Sequence, residues 1–190
     1  YDVLGAGYRA HGSPDPRIAQ AITAALGNAR HVLNVGAGSG SYEPRDRKVV
    51  AVEPSLRMIR QRPPGSAPVV RGHAEHLPCR DGAFDAAMAV LTIHHWADWR
   101  RGVRELRRVA GKTVILTWDP QHPGFWLVQD YLPELRDHDR TIFPRLDALA
   151  EALGGGHITT VPIPRDCTDG FLGAYWARPE RYLDPAVRGA

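Results

Sequence analysis

The chain has 190 residues, enough for one domain with a full core, and 43% of them are hydrophobic. No apolar run approaches the roughly 18 residues of a membrane helix and no basic-then-apolar leader opens the sequence, while Tyr1 in place of methionine points to a start lying upstream. With a net charge of only +3, and Cys79 and Cys167 far apart and outside any ligand spacing, the expectation is a cytoplasmic globular protein with incidental thiols and no metal centre.

In chain order, "SPDPRIAQAITAALG" begins with the helix-starting residues Ser13, Pro14 and Asp15 and ends at Gly27. Its apolar positions Ile18, Ala21, Ile22, Ala25 and Leu26 have helical spacing. "HVLNVG" and "KVVAVEP" are predicted strands, and "SLRMIRQR" a short helix stopped by Pro63 and Pro64. "PVVRG" is a third strand and "FDAAMAVLTI" a fourth. In "WADWRRGVRELRRVAG", Trp99, Val103, Leu106 and Val109 form the apolar stripe of a helix closed by Gly111. Its arginines then form a wet face, a simpler reading than a nucleic-acid patch. "KTVILTWD" is a fifth strand. Apolar runs alternating with helices specify an α/β, doubly wound, mostly parallel sheet covered on both faces.

Beyond Asp119 the alternation loosens. "PQHPGFWLVQDYLPELRDHD" suits an insertion over the end of the sheet, "RLDALAEALGGG" a helix with a glycine stop, and "HITTVPIP" a sixth strand near an edge. "DGFLGAYWARPERYLDPAV" is predicted helical but broken at Pro179. No repeat or linker divides the chain, so residues 1–190 are expected to form one domain with its core in 14–119.

The chemistry concentrates in "VLNVGAGSGSYEP". Gly36, Gly38 and Gly40 follow the first strand, at the rim where parallel sheets bind ligands, and glycines there let a ligand lie against the backbone. Glu53 ends the second strand, where its carboxylate can accept both hydroxyls of a ribose. This pairing points to an adenosine-containing cofactor. The spacing is G-x-G-x-G rather than G-x-G-x-x-G, and Pro44 sits in a connection too short for a long anion-binding helix. No Gly-Lys-Ser/Thr is present. A cofactor without phosphates fits best.

"NVGAGSGSYEP", "VVAVEPSLRMIRQR", "RGHAEHLPCRDGAFDAAMAV" and "HHWADWRRGVRELRRV", in this order and spacing, resemble the class I S-adenosylmethionine-dependent methyltransferases, in particular the small-molecule group with the ubiquinone- and menaquinone-type C-methyltransferases. The resemblance covers residues 14–119. It implies a Rossmann-like fold, S-adenosylmethionine as cofactor and S-adenosylhomocysteine as product. It also implies that Gly36, Ala37 and Gly38 hold the amino-acid part of the cofactor and that Glu53 binds the ribose. Pro54 and Met58 would flank the adenine, Ala74 and Glu75 meet its edge, and Ala89 and Val90 close the site beside the methionine moiety. Tyr8 is a candidate lid contact. The sequence departs from the family at His73, where relatives carry aspartate, and in the first crossover, where "SYEP" is expected to form a turn under Tyr42. Relatives also have a seventh strand, none of which is seen before Ala190, so a C-terminal piece is expected to be missing.

Methyl transfer needs alignment and exclusion of water, and a base only where the acceptor loses a proton. His94 is the candidate base facing the cleft, the alternative being that His94, His95 and Trp96 cap the strand and pack on the next helix. His122 and Trp126 are acceptor-pocket candidates, or members of a satellite core. Residues 120–145 and 164–190 are the expected acceptor-side cap. "VLTIHHW" stands where enzymes acting on nucleic-acid bases carry Asn/Asp-Pro-Pro-aromatic, and aromatics follow the fifth strand. An apolar or aromatic small molecule is therefore the expected acceptor, with no nucleic-acid or membrane partner. Two rivals stand: a protein that binds S-adenosylmethionine or its product without transferring the methyl group, and, less favoured by the glycine spacing, a nicotinamide-linked oxidoreductase.

Overall fold

The computed structural model describes residues 13–122 and 125–188. Five parallel strands, β1 (His31–Val35), β2 (Lys48–Glu53), β3 (Val69–Arg71), β4 (Phe84–Val90) and β5 (Ala110–Leu116), form one sheet in the order β3-β2-β1-β4-β5. The period-two alternation along each strand sorts its side chains onto two faces. Val32, Ala86 and Met88 pack with Ile18, Ile22 and Leu26 of α1 (Pro16–Leu26). Leu33, Val35, Ala87 and Ala89 pack with Leu106 and Val109 of α3 (Trp99–Val109) on the other face. Both faces are apolar because both are covered, as the continuous hydrophobic runs predict. Each large aliphatic side chain so buried contributes about 1.5–3 kcal/mol.

Helix starts follow the capping chemistry read in the sequence. The side chain of Asp15 accepts from the Arg17 amide with Pro16 in the first turn, and Ser55 and Asp98 cap α2 (Leu56–Arg60) and α3 in the same way. Along α3 the buried positions are Gly102, Val103, Leu106 and Val109, and Arg100, Arg101, Arg104 and Arg107 are exposed, the amphipathic pattern expected.

As expected of so short a crossover, no helix forms between β1 and β2; residues 36–47 make a compact turn over which Tyr42 packs, 7% exposed. Two departures shape the molecule. Helix α3 is not closed by Gly111: Ala110 caps it and already pairs with Phe84 as the first residue of β5, placing Gly111 inside the strand. The expected sixth strand does not form. Residues 157–164 form no regular element and have no sheet partner among the described residues, Pro162 and Pro164 lack the N–H a ladder needs, and Ile158 is 63% exposed. No sixth or seventh strand occurs among the described residues.

After β5 come a π-helical turn (Leu127–Tyr131), α4 (Pro133–Ile142), α5 (Leu146–Ala152), two 3-10 turns (Leu172–Tyr175 and Pro179–Leu183) and α6 (Pro185–Arg188). Leu149 of α5 buries against Ile93 and Val103. The aromatics after β5 join those near the C-terminus: Phe125 and Trp126 meet Tyr182 edge-on or tilted, and the Trp126 Nε1–H donates to the Trp176 carbonyl at 2.8 Å.

Candidate functional site

The strand order reverses between β1 and β4, and a cavity of about 690 Å³ opens at the carboxyl ends of the strands there. The glycine loop forms its floor. Gly36 has φ +68°, and a Cβ on it would fall 2.1 Å from Thr92 Oγ1 and 2.9 Å from Thr92 Cβ, so glycine is required both by conformation and by space. The Gly36 and Ala37 amides both donate to the Val52 carbonyl, at 2.9 and 3.1 Å, and fold the loop over the end of β2. Glu53 then faces back across it. Its Oε2 accepts from the Gly38 amide at 2.8 Å and its Oε1 from the Ser55 amide at 2.9 Å, with the residue 5% exposed. Each carboxylate oxygen keeps a further lone pair, so the group is aimed yet can still accept a ligand hydroxyl.

Of the residues expected from the sequence, Gly36, Ala37, Gly38, Glu53, Pro54, Met58, Ala74, Glu75 and Val90 line this one cavity. Two do not. Ala89 is fully buried among Leu33, Val35 and Ala87, because alternation along β4 turns it to the α3 face. His94 also lies outside the lining: its ring stacks on Phe143, with centroids 4.2 Å apart. Burial lowers the His94 pKa to about 4, and its Nδ1 has no hydrogen-bond partner among the described residues. His95 lines the cavity instead. Ile93, fully buried, anchors the 3-10 turn Ile93–His95, and the two imidazoles touch with centroids 3.7 Å apart, His94 on the Phe143 side and His95 at the cavity. Burial, and then the adjacent His94, shift His95 downward as well. Tyr8 lies outside the described residues. His122 and Trp126 are absent from the lining; Trp118 contacts the ring of His122 edge-on, so among the described residues both belong to the aromatic cluster beyond β5.

The sequence reading missed Ser39, Ser41, Ser55, Leu91, Thr92, Trp96 and Ala97, which complete the wall, and missed that Tyr42 belongs to it; His73, read as a departure from the family, also lines it. Two supports behind the wall were also unread. Arg62 and Glu43 form an ion pair at 2.7 Å with side chains only 4% and 9% exposed. Arg62 Nη1 also donates to the Gly38 carbonyl at 3.3 Å, Nη2 to the Ala67 carbonyl at 3.1 Å, and the Asn34 amide donates to Glu43 Oε1 at 3.1 Å. The pair thus ties the glycine loop to the chain after α2. The second support is Tyr42, whose hydroxyl donates to the buried carboxylate of Asp169.

Among the described residues the cavity is lined by the carboxylates of Glu53 and Glu75 and by no lysine or arginine. Its volume lies within the range of small-ligand sites. This donor set suits a ligand with ribose hydroxyls and a positive charge, and fits S-adenosylmethionine, a sulfonium nucleoside without phosphates. Fold and cavity together define a Rossmann-like domain for a nucleoside cofactor. A methyltransferase-domain family pattern matches residues 33–116. A solved structure from Anabaena variabilis, named for the methyltransferases of an antibiotic biosynthesis pathway, superposes with a TM-score of 0.85 at 30% identity, covering 94% of this chain and 77% of that one. The chain belongs to the S-adenosylmethionine-dependent methyltransferases. A demethylmenaquinone methyltransferase of Deinococcus radiodurans is 28% identical over 74% of this chain and 63% of its own length. An uncharacterised methyltransferase of Bacillus subtilis is 29% identical over 54% of this chain, which spans only 42% of that protein's length.

Proposed function

We propose that the protein transfers the methyl group of S-adenosylmethionine to an apolar or aromatic small molecule. The observation that carries this reading is the carboxylate of Glu53, held between the glycine loop and the start of α2 at the rim of a cavity without cations among the described residues. In this reading Gly36, Ala37 and Gly38 receive the amino-acid part of the cofactor, Glu53 the ribose hydroxyls, Pro54 and Met58 the faces of the adenine, and Ala74 and Glu75 its edge. Val90 and Leu91 border the methionine moiety, and Tyr8 is kept as a lid contact. When bound, the cofactor supplies a methyl group already activated on a sulfonium. The chain's part is then to align the acceptor with it and to keep water out. Where the acceptor must lose a proton, His95 takes the role first expected of His94, since it borders the cavity. Residues 120–145 and 164–190 form the acceptor-side cap of one domain spanning 1–190. A quinol-like ring is an acceptor to test early, given the demethylmenaquinone methyltransferase relative. No helix among the described residues is long and apolar enough to cross a membrane, which is compatible with the cytoplasmic location we propose.

Calorimetric titration with S-adenosylmethionine and S-adenosylhomocysteine tests the cofactor reading. Micromolar binding of both is expected, and Glu53→Ala should weaken it about tenfold or more, the scale of lost hydrogen bonds to a charged group. Unchanged affinity in that variant would sink the assignment of Glu53. Turnover of any acceptor, a reduced naphthoquinol included, excludes a role confined to binding the cofactor.

A further inference from the structure

Tyr42 occupies an unusual position for a residue with a side chain. Its φ is +62°, a conformation that persists in non-glycine residues where the surroundings over-determine it. It sits in the turn that replaces the crossover helix, four residues beyond Gly38; the residue borders the cofactor cavity and packs in the core on the α1 face. Its hydroxyl donates to Asp169 Oδ2 and accepts from the Asp15 amide at 3.3 Å. Asp169 is only 4% exposed, and its second oxygen accepts from the Gly170 amide at 2.7 Å. Burial raises the pKa of both Asp169 and Tyr42, and Tyr42 remains the donor.

The segment carrying Asp169 is fastened to the start of α1. The Ser13 amide donates to the Thr168 carbonyl at 2.9 Å, the Thr168 amide to Asp15 Oδ2 at 3.2 Å, and Arg17 pairs with Asp166 at 2.7 Å. From Gly170 the chain continues into the aromatic turns around Tyr175 and Trp176. Three parts of the molecule therefore meet at one hydroxyl: the turn after the glycine loop, the root of the N-terminal segment and the C-terminal aromatic region.

We propose that Asp169 is a positioning residue for the cofactor, holding Tyr42 and through it the wall of the cavity next to the glycine loop. Cofactor affinity is thereby coupled to the docking of the C-terminal segment. The proposal rests on the methyltransferase reading and deepens it.

The test is calorimetric titration of S-adenosylhomocysteine into the full chain as wild type, Tyr42→Phe, Asp169→Asn and the double variant, with thermal unfolding run alongside. Each single change should weaken binding about tenfold, as expected for losing a hydrogen bond to a charged group. The double variant should lose little more than either single one, because both remove the same bond. Asp166→Asn, which removes only an exposed ion pair to Arg17 and leaves the segment docked and the Tyr42–Asp169 bond in place, should bind like wild type. Wild-type affinity in both single variants with only a lowered Tm overturns the proposal, as does an additive, roughly hundredfold loss in the double variant. An equal loss in Asp166→Asn overturns it too. Tyr42→Phe keeps the ring and loses only the hydroxyl, and it decides the matter if Asp169→Asn fails to fold. If the wild type itself binds no S-adenosylhomocysteine, the cofactor reading falls and this role with it. Binding by the wild type with unaffected variants removes the positioning role alone.

Discussion

Gly36 carries two demands at once, a positive φ and an absent side chain, and they come from different neighbours. The turn out of β1 sets the conformation, while Thr92 at the end of β4 closes the space. A methyl group there meets a β-branched side chain that has little freedom to turn away. Gly36→Ala should therefore lower stability by about 1–3 kcal/mol through strain and reduce S-adenosylhomocysteine affinity further, read by thermal unfolding and calorimetry. Wild-type behaviour would mean that the loop relaxes around Thr92. At this scale the sequence was informative where a residue type has few uses. Glycines at a strand end and an acid at the next strand end each narrow the chemistry to a close backbone approach and a hydroxyl acceptor. It was uninformative where adjacent residues of one type differ only in direction. His94 and His95 are equivalent in composition, and only the 3-10 turn anchored by Ile93 separates the stacked ring from the cavity ring.

Among the elements, the short first crossover was legible, since so few residues before Lys48 leave no room for a helix. What replaces the helix was not. Arg62 and Glu43 are 19 residues apart and each resembles an ordinary surface charge until the turn brings them together out of water. Removing one partner strands the other. Arg62→Met should cost about 3–5 kcal/mol, because Glu43 is left buried without its counter-charge, whereas Arg62→Met with Glu43→Leu should recover most of the loss. Urea unfolding of the two variants measures this, and equal losses in both would assign the effect to packing instead. The failed sixth strand has a related cause. "HITTVPIP" has the alternation of a strand, but alternation reports only that one side is apolar. Val161 and Ile163 do pack against the α1-face core, yet no strand among the described residues pairs with them. A strand depends on a neighbour, and the neighbour is not written in its own residues.

For the molecule as a whole, acid should act through groups whose protonation folding changes. His94 titrates near its ordinary value of about 6.5 when unfolded but near 4 when folded. Between these values the unfolded chain holds more protons, so stability is full above pH 6.5 and falls as the pH drops toward 4. His95 shifts in the same direction. Asp15, held low by the Arg17 guanidinium, extends the loss below pH 4, and Asp169, raised by burial, opposes it. His94→Phe keeps the stack on Phe143 and removes the proton site, so the fall in Tm between pH 6.5 and 4 should become shallower without vanishing. An unchanged slope would assign the acid sensitivity to other groups.

The strand order has a consequence for how the chain assembles. Paired residues lie 17 positions apart between β1 and β2, 18 between β2 and β3, and 26 between β4 and β5, but 54 between β1 and β4. Loop closure is least costly for the near pairs, so the sheet divides kinetically into two local halves, β1-β2-β3 and β4-β5, joined by one distant seam. The cavity straddles that seam: Gly36 and Glu53 belong to one half, Val90 and Thr92 to the other. Neither half alone presents a complete binding site. A ligand that needs both acts as a clasp on the last long-range contact to form, and it holds the finished chain together without assisting either half on the way there.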